Sequence, residues 1–566
     1  MFPTSKKEIE ALGWDAPDII LFSGDAFIDH PAFGTAVIAR VLESAGYRVA
    51  VVPQPNWRDD LRDFRKLGEP KLFFGVSAGA MDSMVNHYTA AKRLRSNDAY
   101  TPGGKSSFRP DYAVTVYTKI LKELYPQIPV VIGGIEASLR RLTHYDYWQD
   151  ALKPSILVES GADLLIYGMG ERPIRAVADL LLSGAPVEAL HSIPQVGYLT
   201  DNKPLEDHIT LASFERCKAD KREFAANFKT FEEQANRLEP KMLVEKCGER
   251  FVSINAPYSP ATEQEMDAIY ALPFTKQPHP RYRGKHIPAY EMIKHSVTTH
   301  RGCFGGCNFC TIAAHQGKFI QSRTPASIIA EVERLAVMPD FKGNITDLGA
   351  PTANMYRMRG RDRSLCEKCK RDSCLFPSRC ENMDTSHKEL LSLYDKVLKV
   401  PGVKNAYIGS GIRYDLFLDE DGYLDPTSKP YLEQLITKHT SGRLKVAPEH
   451  TCDHVLKAMG KPSFRIFEKL RQEFDAICHS NELKFQLVPY FISGHPGCKM
   501  EDMENLSRNP HLKNLYMEQV QDFTPTPMTR SSVMFYTGID PKTGKSLFVE
   551  RNLSRKKRQK SFFFKK

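Results

Sequence analysis

The order of apolar and polar positions divides the chain into two stretches in which short apolar runs alternate with amphipathic ones. In the first 200 residues, five short runs are rich in β-branched and aromatic residues, as is typical of buried strands. These predicted strands are Asp18–Phe22, Arg48–Val52, Lys71–Val76, Ile128–Ile132 and Asp163–Tyr167. Between the first two, Gly34–Gly46 carries its apolar residues on one helical face. This alternation predicts a doubly wound α/β domain over residues 1–200.

Two glycine-bearing turns follow strands of this predicted sheet. Residues 133–138 (GGIEAS) come after the fourth strand, and residues 168–171 (GMGE) come after the fifth. Ligands of doubly wound sheets bind outside the carboxyl ends of the strands. We therefore expect both turns at the ligand-binding edge.

A second alternation follows a charged stretch that the sequence predicts to be a helical linker and irregular lead-in, residues 201–290. The predicted strands are Lys294–Thr298, Asn344–Leu348, Lys404–Gly409, Arg443–Ala447, Lys484–Phe491 and Tyr516–Phe523. The predicted helices are Pro325–Met338, Ser386–Val400, Lys429–Thr440, Thr451–Met459, Phe464–Ser480 and Met500–Asn509. Parallel strands in series close into a barrel, so residues 291–540 are predicted to form a partial barrel of about six β/α units.

Composition indicates the general class of protein and shows that positive charge is concentrated at the C-terminal end of the sequence. The chain has 566 residues, 42% of them hydrophobic and 26% charged, with no apolar run of membrane-spanning length. We expect a cytoplasmic protein without a membrane partner. The formal net charge is +10, and the last 16 residues hold eight Lys or Arg and no acid. Residues 541–566 are predicted to form a basic tail, either solvated and disordered or in contact with nucleic acid.

Seven of the twelve cysteines lie between residues 303 and 380, in two groups. The first is Cys303, Cys307 and Cys310 in RGCFGGCNFC, directly after the first predicted barrel strand. Thiolates suit iron–sulfur clusters or zinc, and three protein ligands leave one coordination position open for chemistry. The alternative is a zinc site completed by His300 or His315.

The cysteine array resembles the cluster motif of radical S-adenosylmethionine (radical SAM) enzymes, including the aromatic Phe309 before its last cysteine. Longer stretches, TDLGAPTANMY, KVAPEHT, PYFISGHPG and QVQDFTPTPMTRSS, resemble the YgiQ family of radical SAM proteins. This resemblance covers nearly the entire chain. It implies a Rossmann-like domain similar to cobalamin-binding domains, followed by a partial (β/α)6 radical SAM barrel.

The resemblance also implies a [4Fe–4S] cluster held by Cys303, Cys307 and Cys310, whose fourth iron binds S-adenosylmethionine (SAM). One electron from a flavodoxin- or ferredoxin-type donor would then cleave SAM to methionine and a 5′-deoxyadenosyl radical, which abstracts hydrogen from an unknown substrate. The protein positions this cofactor and excludes water. The sequence identifies no catalytic side chain.

The ends of the second, third and fourth barrel strands are the places where the resemblance implies contacts with SAM. The candidate residues are Asp347, Gly349, Ser410, Arg413 and Glu449. Many radical SAM proteins carry Gly-Gly-Glu after the second strand, whereas residues 349–351 here are GAP. Arg413 is a candidate because an arginine suits carboxylate recognition. The alternative for Arg413 is a structural ion pair, and the alternative for Glu449 is a helix-capping role.

The second cysteine group is predicted to be a further metal site. Cys366, Cys369, Cys374 and Cys380 form a C-x2-C-x4-C-x5-C pattern in an insertion at residues 360–382. Four thiolates could bind structural zinc or an auxiliary iron–sulfur cluster, and the spacing does not choose between them.

The N-terminal stretches VIGGIEAS and DLLIYGMGE carry the resemblance to cobalamin-binding domains. The usual Asp-x-His motif for a lower cobalt ligand is absent, because Asp29 and His30 are adjacent. The leading hypothesis is a radical SAM enzyme. The alternatives are a cobalamin-dependent radical SAM methylase, a tRNA methylthiotransferase, and a zinc-bearing nucleic-acid-binding protein.

Overall fold

The computed structural model describes residues 1–419, 421–513, 515 and 519–562, and its N-terminal half is an α/β domain around one large sheet. The strands are β1 Ile19–Ser23, β2 Val49–Pro53, β3 Phe73–Ser77, β4 Val130–Ile132, β5 His144–Asp146, β6 Ala151–Lys153, β7 Leu164–Ile166, β8 Val196–Thr200, β9 His208–Thr210, β10 Met242–Cys247 and β11 Arg250–Ile254. The helices are α1 Lys6–Ala11, α2 Gly34–Ser44, α3 Arg62–Arg65, α4 Ser83–His87, α5 Ala113–Leu124, α6 Gly134–Leu139, α7 Ile156–Ser160, α8 Glu171–Leu182, α9 Phe214–Ala219, α10 Lys221–Ala235 and α11 Glu263–Ala271.

The large sheet has nine strands in the order β2-β1-β3-β4-β7-β8-β11-β10-β9. Its first five strands are parallel and coincide with the five predicted strands. Helices pack on both faces, and two hydrophobic cores lie on the two sides of the sheet. The predicted doubly wound arrangement is therefore confirmed for residues up to about 170.

The rest of the sheet corrects the prediction of a helical linker. Helices α9 and α10 are present, but β9, β10 and β11 also lie in this stretch and extend the sheet beyond β8. The apolar run in the hairpin of β10 and β11 is short, with buried Leu243, Val244, Val252 and Ile254 set among polar and charged residues. Glu245 is itself buried and accepts from the backbone N–H of Thr143 at 2.9 Å, so the charged composition did not indicate exposure.

The C-terminal half alternates strands and helices as predicted. The strands are β12 Ser296–Thr298, β13 His300–Arg301, β14 Gln321–Ser322, β15 Asn344–Ile345, β16 Asp347–Gly349, β17 Asn405–Ala406, β18 Arg443–Glu449, β19 Gln486–Ser493 and β20 Gln519–Asp522. The helices are α12 Pro288–Ile293, α13 Ile312–Gln316, α14 Pro325–Ala336, α15 Arg363–Glu367, α16 Lys388–Leu398, α17 Lys429–His439, α18 Asp453–Met459, α19 Phe464–Ser480, α20 Met500–Ser507, α21 Arg530–Thr537 and α22 Leu553–Ser561.

Apart from the short antiparallel pair of β13 and β14, the pairings described in this half are parallel. β12 pairs with β16, β15 with β17, β18 with β19, and β19 with β20. All six predicted strand positions contain strands, although the start of the sixth, residues 516–518, lies outside the described residues. One hydrophobic core joins these strands to the helices around them. The parallel ladders form three separate sheets, β12-β16, β15-β17 and β18-β19-β20, so a continuous partial barrel stays a prediction. For brevity we call residues 296–522 the barrel region.

The C-terminal segment corrects the idea of a wholly solvated tail. Its described part forms α22, where Lys556 is buried and its Nζ donates to the carbonyl of Phe523 at 3.1 Å. Burial lowers the pKa of Lys556 to about 8. No helix among the described residues is long and apolar enough to cross a membrane.

A buried charge network connects the two halves. Lys276 Nζ donates to Glu331 Oε1 at 2.6 Å, and Arg323 Nη1 donates to Oε2 at 2.5 Å. The backbone N–H of Lys276 also donates to the carbonyl of Asp29 in the N-terminal half, at 2.8 Å. Burial alone would raise the pKa of Glu331, but the two cations lower it to about 2. The network therefore requires the ionised carboxylate.

We expect Glu331→Gln to lower the free energy of unfolding by about 3–5 kcal/mol, because it leaves two buried cations without their shared partner. The folded-state pKa lies below the ordinary value of 4.5, so this stabilisation is present above that pH and is lost as the pH falls towards 2. Urea unfolding measured as a function of pH checks both effects. The exposed Glu333 on the same helix provides the control Glu333→Gln, and equal stability of the two variants would contradict the prediction.

Candidate functional site

The first cysteine group forms a loop that is anchored at both sides of the barrel region. It begins after β13 and ends before α13. The backbone N–H of Cys303 donates to the carbonyl of Gly317 at 3.1 Å, and that of Asn308 donates to the carbonyl of Met459 at 2.9 Å. The Asn308 side chain donates to the carbonyl of Ala458 at 2.9 Å. These contacts fix the loop, which we call the cluster loop (residues 302–311), against α13 and α18.

The three thiols of the cluster loop lie in a protected environment. Burial raises the pKa of Cys303, and it raises that of Cys310 to about 12. Only a deprotonated thiol is a metal ligand, so binding of a metal by Cys303 and Cys310 requires release of their protons. Cys303 Sγ is 3.4 Å from Thr352 Oγ1, so the residue after the second strand also contacts the loop.

Arg413 supplies a positive charge at this loop. Its Nη1 donates to Cys307 Sγ at 3.1 Å, while Nε donates to Asp415 Oδ1 at 2.9 Å and Nη2 donates to Oδ2. Burial alone would lower its pKa, but Asp415 and the thiol raise it well above the ordinary value. Asn354 holds the backbone of Arg413 through hydrogen bonds of 2.9 Å to both its N–H and its carbonyl. Arg413 therefore forms the structural ion pair that was its alternative interpretation, while its contact with SAM stays a prediction.

Glycine is required where Arg413 and the insertion approach the loop. A Cβ on Gly305 would be 2.7 Å from Arg413 Nη1, and one on Gly306 would be 2.5 Å from Ser373 Cβ. Gly306 also has a φ of +63°, which most other residues avoid. These two glycines allow the backbone to pass between the guanidinium and the cysteine-rich insertion.

Asp347, Gly349 and Ser410 lie together at the ends of the second and third strands. Asp347 Oδ1 accepts from the backbone N–H groups of Gly409 at 2.9 Å and Ser410 at 3.0 Å, and Ser410 Oγ donates to Oδ2. Burial raises the pKa of Asp347 despite these bonds. The carbonyl of Gly349 accepts from the backbone N–H of Thr299 at 2.8 Å. Asp347 therefore orders the loop that follows the third strand.

Glu449 ends β18 with a strained backbone, at a φ of +67°. Its side chain is buried and has no hydrogen-bond partner among the residues that the structure describes. Burial raises its pKa to about 7, although Lys461 and Arg413 act in the opposite direction. A capping role is thus not observed, and the carboxyl group can hold or release a proton near neutral pH.

The second cysteine group packs directly against the cluster loop. The backbone N–H of Cys374 donates to the carbonyl of Phe304 at 3.1 Å, and Ser373 Oγ donates to the carbonyl of Gly305 at 2.8 Å. A small apolar core joins the two segments, with Cys303, Cys374 and Cys380 at its edge. Cys366 Sγ accepts from Asn382 Nδ2 at 3.4 Å, and Cys369 Sγ accepts from the backbone N–H of Arg371 at 3.4 Å. The insertion therefore supports the first group.

The histidines proposed as alternative zinc ligands have other partners. His300 contacts Thr299 Oγ1 through Nδ1 at 2.9 Å and the carbonyl of Thr352 through Nε2 at 3.1 Å. His315 Nδ1 lies 3.1 Å from Ser138 Oγ in the N-terminal half. Within the described part of the chain, no three His, Cys, Asp or Glu side chains are arranged to hold one metal ion. The ligand role of either cysteine group stays a prediction.

A cavity of about 550 Å³ separates the sheet of the N-terminal half from the barrel region. Both predicted glycine turns line one side, and the ends of β12 and β16 line the other, together with Ser410. The carboxyl ends of strands from both halves therefore face one space, as expected for doubly wound sheets and barrels. Arg301 and Glu171 bridge its wall at 2.5 Å.

His30 lies outside this cavity and is not available as a cobalt ligand. It is buried, and its Nδ1 accepts from the backbone N–H of Ala32 at 3.0 Å. Its Nε2 lies 3.5 Å from Lys276 Nζ. The segment after β3 contributes Gly79 and Ala80 to the cavity wall.

Sequence reasoning did not single out Thr352, Asn354, Asp415 or Ser373 as members of the site. The position of Asp415 two residues after Arg413 was the available signal for it. Thr352 and Asn354 lie in TDLGAPTANMY, one of the stretches that carried the resemblance. For Ser373 no local pattern exists, because it acts through a contact with a distant segment.

Comparison with known proteins gives close relatives over the full length. A UPF0313 protein of Porphyromonas gingivalis is 55% identical and covers 99% of this chain and 90% of its own. One from Bacteroides thetaiotaomicron is 54% identical, with coverage of 99% and 93%, and one from Methanocella arvoryzae is 45% identical, with 98% and 91%. The chain belongs to the UPF0313 family. Residues 1–296 also match the family model described as "Radical SAM N-terminal".

Among solved structures, the chain is similar to TsrM from Kitasatospora setae. That structure is described as a radical S-adenosylmethionine methyltransferase with cobalamin and a [4Fe–4S] cluster bound. The TM-score is 0.50 at 14% identity, and the match covers 91% of this chain and 77% of the other. At this identity the similarity concerns the fold. This UPF0313 protein thus has a radical SAM N-terminal domain and an α/β fold similar to that of a radical SAM enzyme.

Proposed function

We propose that this UPF0313 protein is a radical SAM enzyme that acts on a substrate still to be identified. The observation that carries the proposal is the contact of Arg413 with Cys307, because it places a buried cation inside a three-cysteine loop next to the strand ends. The radical SAM N-terminal match of residues 1–296 supports the same class.

The residues of the cluster loop fit a [4Fe–4S] cluster. Cys303, Cys307 and Cys310 are half-buried within one short loop. Arg413 Nη1 contacts Cys307 Sγ at 3.1 Å, and a Cβ on Gly305 would lie 2.7 Å from that nitrogen and 3.3 Å from Cys303 Sγ. They are not arranged around a single ion, and a cube requires wider spacing since each thiolate binds a different iron. When bound, such a cluster supplies the electron that cleaves SAM.

Three side chains of the site have distinct roles, which are to supply a positive charge, to fix the backbone and to exchange a proton. Arg413 donates to the sulfur of Cys307 and brings a positive charge to the cluster loop. Asp347 acts as a positioning residue that fixes the backbone of Gly409 and Ser410 at the cavity. Glu449 offers a carboxyl group with a pKa of about 7, suited to hold or accept a proton at neutral pH.

Anaerobic reconstitution with iron and sulfide tests the proposal. We expect a reduced-cluster EPR signal that changes when SAM is added, and formation of 5′-deoxyadenosine with dithionite or a reduced flavodoxin as the electron donor. The triple variant Cys303→Ala, Cys307→Ala, Cys310→Ala serves as the comparison and should lose both. A wild-type protein that binds zinc and ignores SAM would refute the radical reaction and favour the nucleic-acid-binding alternative.

The same preparation decides the role of the second cysteine group. Iron that remains in the triple variant would belong to Cys366, Cys369, Cys374 and Cys380. Zinc in that variant would instead indicate a structural site.

Cobalamin fits the described residues less well. The cavity of about 550 Å³ lies in the range of about 300–1,000 Å³ that holds a drug-sized ligand, and a corrinoid with its nucleotide is larger. His30 has other partners on both ring nitrogens. We therefore derive no step through cobalamin and expect purified protein to bind none from a hydroxocobalamin solution, as measured by its absorbance after gel filtration. Stoichiometric binding of hydroxocobalamin would instead favour a cobalamin-dependent radical SAM methylase.

A further inference from the structure

A second cavity, of about 420 Å³, lies beside the cluster loop and is rich in basic residues. One wall is α13 with the following residues 317–319, and the other walls come from the N-terminal half. Its lining includes seven Arg or Lys and two Glu: Arg141, Arg172, Arg175, Arg237, Lys241, Arg301, Lys318, Glu171 and Glu265. We call this space the Arg141 cavity.

Arg141 lies two residues beyond the end of α6, the helix that follows β4. Its side chain is only 4% exposed, and its Nη1 donates to the carbonyl of Ser138. The guanidinium carbon lies 4.7 Å from the ring centroid of Tyr167 and 4.7 Å from that of Phe231. Two aromatic rings thus hold a flat cation at the cavity wall.

Arg141 has no carboxylate partner within ion-pair distance among the described residues, in contrast to its neighbour Arg140, which pairs with Asp82. Burial lowers the pKa of Arg141 to about 10, so the group stays charged at neutral pH. A buried charge is costly unless it is paired. The unused N–H groups of Arg141 therefore call for an anionic partner from outside the chain.

Other groups around the cavity are consistent with a polar occupant. Arg172 pairs with Glu265, and Arg301 pairs with Glu171. In contrast, Asn255 Oδ1 and Arg237 Nε are buried without a hydrogen-bond partner in the described part of the chain. Arg175 and Lys241 pair with Asp179 and Asp207. Among the described residues, this leaves Arg141, Arg237 and Lys318 as the cations of the lining that have no ion pair.

We propose that the Arg141 cavity binds a small molecule that carries an oxyanion, either a carboxylate or a phosphate. Arg141 would form the hydrogen bonds to this group. Guanidinium groups match both oxyanions through two parallel hydrogen bonds. The cavity shares Arg301, His315 and Gln316 with the larger cavity between the two halves, and α13 begins two residues after Cys310. The bound molecule would therefore lie one short helix away from the cluster loop. This site does not depend on the radical reaction.

Isothermal titration of the full-length chain with pyrophosphate and with citrate, at constant ionic strength, tests the site. We expect at least one probe to bind and Arg141→Met to weaken that binding by about 10- to 100-fold, since hydrogen bonds to charged groups are strong. Binding of pyrophosphate alone would identify a phosphate site, and binding of citrate alone would identify a carboxylate site. Arg465→Met, at an exposed position of the barrel region, should bind as the wild type does.

Two further results keep the test independent of folding. Without ligand, Arg141→Met should unfold at the same temperature as the wild type or higher, because it removes an unpaired buried charge. Ala268→Trp, at an exposed position of the cavity rim, should obstruct entry and weaken binding without touching Arg141. The proposal is overturned if neither probe binds to the wild type, or if both variants bind as tightly as it does.

Discussion

Replacement of Cys303 by Ser is expected to reduce the formation of 5′-deoxyadenosine by at least about a thousandfold, equivalent to ~4 kcal/mol in the barrier. The reason is that the cofactor performs the difficult step, and Cys303 is one of the three thiolates that can hold it. Its Sγ also contacts Thr352, so it connects the cluster loop to the end of the second strand. The measurement is SAM cleavage by the anaerobically reconstituted protein, with iron quantified per chain.

The matched control is Cys247→Ser, which changes a half-buried cysteine at the end of β10, outside both cysteine groups. This variant should keep its iron content and its cleavage rate. If Cys303→Ser cleaved SAM at the rate of the control, the cluster loop would not be the place where this chemistry occurs.

Arg413→Met is expected to lower the free energy of unfolding of the metal-free protein by about 3–5 kcal/mol. The substitution leaves Asp415 buried without its bidentate partner, and breaking a buried pair from one side has this cost. Urea unfolding monitored by circular dichroism provides the measurement. The double variant Arg413→Met, Asp415→Leu should recover most of the lost stability, because it removes both charges.

The double variant also separates stability from chemistry. In the reconstituted protein, loss of the positive charge at Cys307 should make the cluster harder to reduce, since reduction adds a negative charge there. We expect a lower midpoint potential in redox titrations followed by EPR, and slower SAM cleavage. An unchanged potential in a stable double variant would mean that Arg413 has only a structural role.

The strands and helices of this chain were largely predictable. Burial patterns with a period of two or of about 3.6 residues are local properties, and they placed Phe464–Ser480 at its observed bounds and put a strand at each of the six barrel positions. The predicted linker failed at β10 and β11 because their charged composition concealed consecutive buried residues, which include Glu245 itself. The same limit applied to α22, whose basic composition concealed the buried Lys556.

The candidate site was also only partly predictable from the sequence. The spacing of Cys303, Cys307 and Cys310 and the glycines between them are visible in the sequence alone. The contact of Arg413 with Cys307 joins residues 106 positions apart, and the contact of Cys374 with Phe304 brings the second cysteine group onto the first. Neither follows from a local pattern.

The sequence by itself thus determined the succession of elements, the doubly wound first half and the three-cysteine loop, because each depends on residues close together in the chain. Only the tertiary structure decided that Arg413 is the charge at the loop, that Asp347 orders its neighbour Ser410, and that Arg141 has no carboxylate partner among the described residues. Charge pairing and burial in a folded protein are set by which distant segments pack together, and that packing is a property of the whole chain.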